Sequence, residues 1–177
     1  MELTGRRGTY AAGMTTPPAV VERTGARVLV VDDLGRVLLL RGSDPAVDHA
    51  PTWWFTPGGG AHPGEDAQEA ARRELAEETG LVLDEVGTPV WTRTAEFDFL
   101  GSHYRQAETF FLARVPSYVP DTSGWTEVER AAVHEVRWWD LGELERSGET
   151  VYPSTLVDEL RLLLAEGRPR VPKVVGP

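Results

Sequence analysis

The feature that most constrains this chain is an acidic segment closed by a glycine. Glu74, Glu77 and Glu78 are spaced i, i+3 and i+4 in a window that predicts a helix over about residues 65–79, with Gly80 as its stop. On a helix, this spacing brings the three carboxylates within roughly 100° of arc. Like charges so close repel one another, and bound Mg²⁺ or Mn²⁺ reverses that cost. The spacing therefore indicates a metal site.

A glycine-rich loop leads into this helix. Pro57 and the run Gly58–Gly60 end a short aromatic strand, and Pro63 and Gly64 follow shortly before the helix. Glycines let the backbone approach a metal or a phosphate closely, and amides at a helix start favour an anion. Loop and helix together indicate a site for a metal and a phosphate. The simpler alternative for an acidic run is a solvated helix face.

Composition excludes several classes of protein. The chain has 177 residues with 41% hydrophobic content, which suits one domain with a real core. It has no cysteine, which excludes disulfides, thiolate metal sites and thiol nucleophiles. A net charge of −10 disfavours duplex nucleic acid as a partner. The apolar runs are too short for a membrane span or a secretory signal, so we expect a cytoplasmic protein.

The remaining pattern predicts a mixed α/β (α+β) domain over residues 25–167. Residues 1–24 have no periodicity and are expected to form a flexible arm; Met1 and Met14 both stay open as the natural start. Residues 168–177 form a tail. Predicted strands cover 26–32, 36–41, 53–56, 90–100, 104–115 and 136–139. Predicted helices cover 65–79, 141–146 and 153–166, with a helical turn at 127–132.

The segment from Gly59 to Leu81 resembles the Nudix box, G-x5-E-x7-R-E-U-x-E-E-x-G-U, where U is a bulky aliphatic residue. Each fixed position is matched, by Gly59, Glu65, Arg73, Glu74, Leu75, Glu77, Glu78, Gly80 and Leu81. A chance match at one start is on the order of 10⁻⁹ from average residue frequencies. The order of strands also resembles the Nudix fold, an α/β/α sandwich around a mixed sheet.

The resemblance assigns roles within the box. It implies that Glu74, Glu77 and Glu78 bind a divalent metal, Mg²⁺ or Mn²⁺, with a carbonyl from Gly59 or Gly60. Arg73 is expected to orient these glutamates, and Glu65 to support the helix and pair with the arginine. Gly60 and Gly80 are expected to support the site structurally. The remaining acids of the segment, Asp66 and Glu69, are expected to be solvated charges.

Members of the family cleave a nucleoside diphosphate linked to another moiety, by attack of water on phosphorus. The resemblance therefore implies a hydrolase whose general base is a glutamate. A box glutamate is one candidate for that base. Glutamates before the strand at 136–139 are others, with Glu129 ranked before Glu127, and Glu135 adjoining the strand. Glu108 is a further candidate if its side chain faces the cleft.

Substrate contacts outside the box are expected from Arg41, Trp54, Arg105 and Glu108. An acidic protein must supply positive charge to an anionic substrate, although each arginine is individually more typical of a surface charge. Trp54 would stack on a base or ribose if it points outward, and core packing is its commoner role. The four histidines lack metal-ligand spacing.

Two rivals to hydrolysis follow from the same sequence. A Nudix-fold sensor domain would bind a nucleotide without turnover, and altered box glutamates would favour it. Isoprenoid diphosphate isomerisation usually relies on a cysteine, which this chain lacks. No second motif selects among oxidised nucleoside triphosphates, ADP-ribose, dinucleoside polyphosphates, nucleotide sugars and capped RNA. Oligomeric state is also open, with a homodimer as one option.

Overall fold

The computed structural model describes residues 19–176. This part of the chain forms nine strands and four helices. The strands are β1 (Val20–Val31), β2 (Val37–Gly42), β3 (Trp53–Phe55), β4 (Gly58–Gly60), β5 (Pro89–Phe99), β6 (Ser102–Arg114), β7 (Val133–Trp139), β8 (Val151–Tyr152) and β9 (Lys173–Val174). The helices are α1 (Ala67–Thr79), α2 (Glu127–Ala132), α3 (Leu141–Ser147) and α4 (Leu156–Glu166).

All nine strands belong to one mixed sheet. Its main order is β8-β3-β2-β1-β6-β5-β9, with β4 added beside β1 and β7 beside β2. The central pair, β1 and β6, is parallel, whereas β5 and β6 form an antiparallel hairpin. Strand β4 pairs antiparallel with β1 through Gly25 and Gly60, which anchors the glycine-rich loop to the centre of the sheet.

The sheet separates two hydrophobic cores. Because strand side chains alternate, Leu29 and Val31 of β1 face one core, and Val28 and Val30 face the other. The first core packs against α3 and α4, and the second against α1. The result is three layers, α/β/α, which confirms the predicted fold class. In the described residues, no helix has the length and apolar character needed to cross a bilayer.

Both ends of helix α1 are fixed by local sequence. Asp66 is the N-cap and accepts hydrogen bonds from the amides of Gln68 and Glu69, while the Glu69 carboxylate accepts one from the Asp66 amide. This reciprocal pair is a capping box. Both side chains are exposed, as expected of solvated charges, and they also cap the helix. Gly80 ends the helix in the left-handed conformation, with φ of 71°, which favours glycine.

Strand β1 begins earlier than the sequence pattern indicates. It starts at Val20, and residues 20–24 of the segment expected to form an arm pair in parallel with β6. The partner strand lies about eighty residues away in sequence, and Glu22 and Thr24 are exposed, so no hydrophobic pattern marks this pairing. Residues 1–18 of the predicted arm lie outside the described residues. In the predicted tail, Lys173–Val174 forms β9, and Val175 is buried.

Candidate active site

Three carboxylates meet at the junction of two helices. Glu74 and Glu78 on α1 and Glu129 on α2 each place one oxygen within 4.8 Å of the others. Glu78 is buried, and the other two are half-buried. The pairing of Glu74 with Glu78 follows from their i, i+4 spacing, whereas Glu129 arrives from a distant part of the chain. Oxygen donors at this separation suit a hard divalent cation.

The electrostatics of this group favour a cation. Burial raises the pKa of Glu78 to about 8, with a further increase from the neighbouring Glu74 carboxylate. Burial also raises the pKa of Glu74, although the guanidinium of Arg73 opposes the shift. Carboxylates that are costly to ionise alone become favourable when a divalent cation sits between them. The residues present therefore fit a bound Mg²⁺ or Mn²⁺ ion.

Arg73 connects the box residues to one another. Its Nε and Nη2 atoms donate to the two oxygens of Glu65 at 2.8 and 2.9 Å. Its Nη1 donates to Glu74 at 2.8 Å and to Glu77 at 3.1 Å, and Nη2 also reaches the carbonyl of Gly60 at 3.0 Å. Hydrogen bonding to Arg73 lowers the pKa of Glu65 to about 2. One guanidinium thus ties the helix to the loop before it.

Two predicted residues stand apart from the three-carboxylate group. Glu77 is 47% exposed in its side chain and turns towards Arg73. Glu127 is exposed on the first turn of α2. Neither belongs to the group formed by Glu74, Glu78 and Glu129.

The loop glycines pack directly against the glutamates. A Cβ atom on Gly59 would lie 2.5 Å from Oε1 of Glu74, so a side chain there would displace the carboxylate. Gly58 has φ of 131° and its amide donates to Oε2 of Glu78 at 2.7 Å. A Cβ on Gly58 would lie 2.1 Å from the carbonyl oxygen of Ala26. Gly58 therefore requires glycine, whereas a side chain at Gly59 would force the Glu74 carboxylate to move.

Helix α2 is held against α1 by contacts with the end of that helix. The indole of Trp125 donates to the backbone carbonyl of Glu78 at 2.9 Å. The amide of Asp121 donates to the carbonyl of Thr79 at 3.0 Å. Glu129 also takes part in the capping box of α2, where its Oε2 accepts from the Thr126 amide at 2.6 Å. These contacts place Glu129 beside the box glutamates.

Trp54 is not available to a substrate. It is 2% exposed and belongs to the core that packs on α3 and α4, where it meets Trp139 edge to face at 5.1 Å between ring centroids. Its indole nitrogen donates to Glu149 at 3.2 Å. A substrate contact required an outward ring, but the alternation of β3 turns Trp54 inward, which is its commoner role, and leaves Trp53 and Phe55 half-buried.

The two arginines expected to meet phosphate already have protein partners. Arg41 donates to the hydroxyl of Thr52 from Nε at 3.2 Å and Nη2 at 3.1 Å, and lies 3.9 Å from Glu135. Arg105 is exposed on β6 and forms ion pairs with Glu22 and Glu96 at 3.5 and 3.3 Å. Screened surface pairs of this kind are weak, so neither is barred from a substrate, and neither belongs to the carboxylate group.

Glu108 is buried in an ion network. Arg27 and Arg93 donate to its two oxygens at 2.9 and 2.7 Å, and Gln106 adds a hydrogen bond at 2.8 Å. Burial alone would raise the pKa of Glu108, but the two guanidinium groups outweigh it and the pKa is lowered. A carboxylate so strongly held in its ionised form is a poor proton acceptor, which argues against the hypothesis that Glu108 is the general base.

Arg27 was not selected from the sequence. Its guanidinium reaches the glycine-rich loop, where Nη1 donates to the carbonyl of Gly58 and lies 3.4 Å from that of Thr56. A lone arginine at the start of an apolar strand carries no local signal of this role. Its pairing with Glu108 spans 81 residues and becomes visible only in the folded sheet.

Comparison with known proteins identifies the family. The family model described as NUDIX domain matches residues 21–159. An RNA pyrophosphohydrolase from Sphingopyxis alaskensis is 33% identical over 134 residues, which cover 70% of this chain and 81% of the relative. A putative 8-oxo-dGTP diphosphatase from Bacillus subtilis is 43% identical over a shorter stretch of 56 residues, covering 32% of this chain and 34% of the relative.

Solved structures support the fold. A Caenorhabditis elegans Ap4A hydrolase, solved as a binary complex, superposes with a TM-score of 0.57 at 20% identity, covering 81% of this chain and 98% of that one. The MutT protein from Methanosarcina mazei Go1 gives a TM-score of 0.54 at 21% identity, with 84% and 96% covered. At these identities the likeness concerns the fold alone. The family match and the pyrophosphohydrolase relatives together show that this chain belongs to the Nudix family, as a hydrolase that acts on diphosphate bonds.

Proposed function

We propose that this chain is a metal-dependent pyrophosphohydrolase that cleaves a nucleoside diphosphate linked to another moiety. The observation that carries the proposal is the convergence of Glu74, Glu78 and Glu129 to within 4.8 Å. The nucleotide character of the substrate is supported by the relatives, whose names refer to RNA, 8-oxo-dGTP and Ap4A. A cytoplasmic location remains our expectation from the sequence.

The metal ligands in this proposal are Glu74 and Glu78, with Glu129 beside them and Glu77 and the Gly59 carbonyl as further donors. When bound, Mg²⁺ or Mn²⁺ neutralises phosphate oxygens and lowers the pKa of the attacking water. Arg73 keeps Glu74 in place through a direct hydrogen bond of 2.8 Å and is itself held by Glu65. Loss of protein groups that orient metal ligands in this way typically costs about 10- to 100-fold in metal affinity or activity.

Glu129 is the general base in this proposal. It lies close enough to the box glutamates to receive a proton from a water held there, and its carboxylate is only half-buried. A base must be within hydrogen-bond reach of the proton that it removes, directly or through one water. Glu127 is exposed on the same turn of α2 and does not belong to the group formed by Glu74, Glu78 and Glu129.

The competing function is a sensor that binds a nucleotide without turnover. A substrate panel separates the two functions, with 5′-triphosphorylated RNA, capped RNA, 8-oxo-dGTP, Ap4A, ADP-ribose and a nucleotide sugar each incubated with Mg²⁺ or Mn²⁺. Released phosphate and nucleotide products are quantified by chromatography. We expect turnover of at least one compound at a diphosphate bond. Tight binding of a panel member with no turnover of any would favour the sensor.

A further inference from the structure

The backbone of Gly58 is held at both of its polar groups, which belong to the two peptide units on either side of its Cα. Its amide donates to Oε2 of Glu78 at 2.7 Å, and its carbonyl accepts from Nη1 of Arg27. Gly58 also tolerates no side chain, because a Cβ atom would collide with the carbonyl of Ala26 at 2.1 Å. The backbone conformation of Gly58 therefore links Arg27 on β1 to Glu78 on α1.

Arg27 is in turn fixed by a carboxylate. Its Nε donates to Glu108 at 2.9 Å, and the side chains are 15% and 0% exposed. Glu108 accepts four hydrogen bonds in all, from Arg27, from two nitrogens of Arg93 and from Gln106. The three strands β1, β6 and β5 lie side by side, so this network crosses the sheet beneath the loop. Arg27 has little freedom to move away from Gly58.

Stability alone does not account for such a network. Desolvating two guanidinium groups and a carboxylate is costly, and apolar residues of similar volume often stabilise a fold as well or better. A planar guanidinium, however, donates in two directions at fixed angles. Arg27 can therefore donate hydrogen bonds to the Glu108 carboxylate and to the Gly58 carbonyl at the same time. The network supplies a rigid support at the point where the loop meets a carboxylate of the active site.

We propose that Arg27 is a positioning residue for the metal site, and that Glu108 holds it in place. Arg27 holds the Gly58 carbonyl and thereby fixes the backbone at Gly58, so that the Gly58 amide keeps the Glu78 carboxylate beside those of Glu74 and Glu129. This inference rests on the proposed function, because it concerns the same carboxylates. It also gives Glu108 a role in place of substrate binding or base catalysis.

The test compares Arg27→Met with Arg93→Met. Both variants remove one guanidinium from Glu108, but only Arg27 contacts Gly58. Metal-free protein is titrated with Mn²⁺ by calorimetry, and exchange of the Gly58 amide proton is followed by NMR. We expect Arg27→Met to weaken Mn²⁺ binding about 10- to 100-fold and to speed Gly58 exchange. The Arg93→Met variant is expected to keep its Mn²⁺ affinity and its Gly58 exchange rate near those of wild type, even if the variant is less stable.

Kinetics add a second measurement. With the substrate that the panel identifies, Arg27→Met is expected to lower kcat at saturating metal while KM changes little, because Arg27 acts through Glu78. Arg27→Lys is expected to restore only a small part of kcat, since one ammonium cannot donate to Glu108 and Gly58 with the fixed geometry of a guanidinium. If Arg27→Met does not fold, Arg27→Met combined with Glu108→Gln removes both charges and supports the same measurements.

The outcomes separate this inference from the proposed function. Wild-type protein that binds no Mn²⁺ would overturn both. Wild-type protein that binds Mn²⁺ while folded Arg27→Met binds it equally well, with unchanged Gly58 exchange, would overturn the positioning role alone. Equal losses in Arg27→Met and Arg93→Met would also overturn it, because the effect would then belong to the whole network and not to the contact with Gly58.

Discussion

The carboxylate of Glu129 lies within 4.8 Å of that of Glu78, although the two residues belong to different helices. The hairpin of β5 and β6 and a long loop separate α1 from α2 along the chain. Trp125 lies just before α2, and its indole donates a hydrogen bond to the backbone carbonyl of Glu78, which holds the start of α2 against the end of α1. A residue outside the box thereby joins the box glutamates at one point.

Glu129→Gln is expected to lower kcat by about 10²- to 10⁴-fold, because an amide cannot accept the proton of the attacking water. The amide oxygen can still accept the hydrogen bond of the Thr126 amide, so α2 should keep its cap. The measurement is steady-state hydrolysis, with circular dichroism as a check of folding. Glu127→Gln is the matched control and should retain most activity. Equal losses in both variants would reject Glu129 as the base.

Gly59→Ala tests the packing of the loop on Glu74. The new Cβ would lie 2.5 Å from Oε1 of Glu74, which is held by Arg73, so the carboxylate must move. We expect kcat/KM to fall by at least about tenfold while the protein stays folded. Gly60→Ala is the control, because its Cβ would meet its nearest atom at 3.7 Å. Wild-type activity in Gly59→Ala would show that this contact does not matter.

Sequence reasoning succeeded where the determining interactions are local. The spacing of Glu74 and Glu78 and the stop at Gly80 lie within one helix, and the structure has that helix from Ala67 to Thr79. The capping box of Asp66 and Glu69 was equally local, since an aspartate followed three residues later by a glutamate signals a helix start, and it was overlooked.

Sequence reasoning failed where partners are distant. Arg27 and Glu108 are each unremarkable in sequence, and only the parallel pairing of β1 with β6 brings them together. The early start of β1 depends on the same pairing. For Trp53, Trp54 and Phe55, alternation indicates that one or two face the core but leaves open which. The orientation depends on β3 pairing between β2 and β8, which no short motif specifies.

The stability of the metal-free protein should depend on Glu78. Its pKa is raised to about 8 in the folded state from a usual value of 4.5, so the folded protein keeps a proton that the unfolded chain releases. The contribution of Glu78 to the free energy of unfolding should therefore decrease as pH rises from about 4.5 to about 8. The Glu78→Gln variant lacks this titrating group. The free energy of unfolding of Glu78→Gln, relative to that of wild type, should therefore increase as pH rises from about 4.5 to about 8.

Urea unfolding in EDTA at several pH values between 5 and 9 measures this difference. Saturating Mg²⁺ should stabilise wild type above pH 8 more than it stabilises Glu78→Gln, because the ion binds the ionised carboxylate in the folded protein only. A difference between the two proteins that is the same at pH 5 and pH 8 would contradict the raised pKa.

Trp54→Ala is expected to act on stability and not on substrate binding. The ring is buried against Trp139, so its removal leaves a large cavity and should cost about 3–5 kcal/mol. Chemical denaturation gives this value, and KM measured below the unfolding transition should stay close to wild type. A large increase in KM without loss of stability would restore the substrate-binding role of Trp54.

The central claim is that hydrolysis depends on a divalent metal held by the box glutamates. Its most direct test uses the substrate that the panel identifies and follows initial rates in EDTA, then after excess Mg²⁺ or Mn²⁺ is added. We expect wild type to be inactive in EDTA and to recover when either ion is supplied, and Glu78→Gln to stay impaired at every metal concentration. Hydrolysis that continues in EDTA, or a near-normal rate in Glu78→Gln, would contradict the claim.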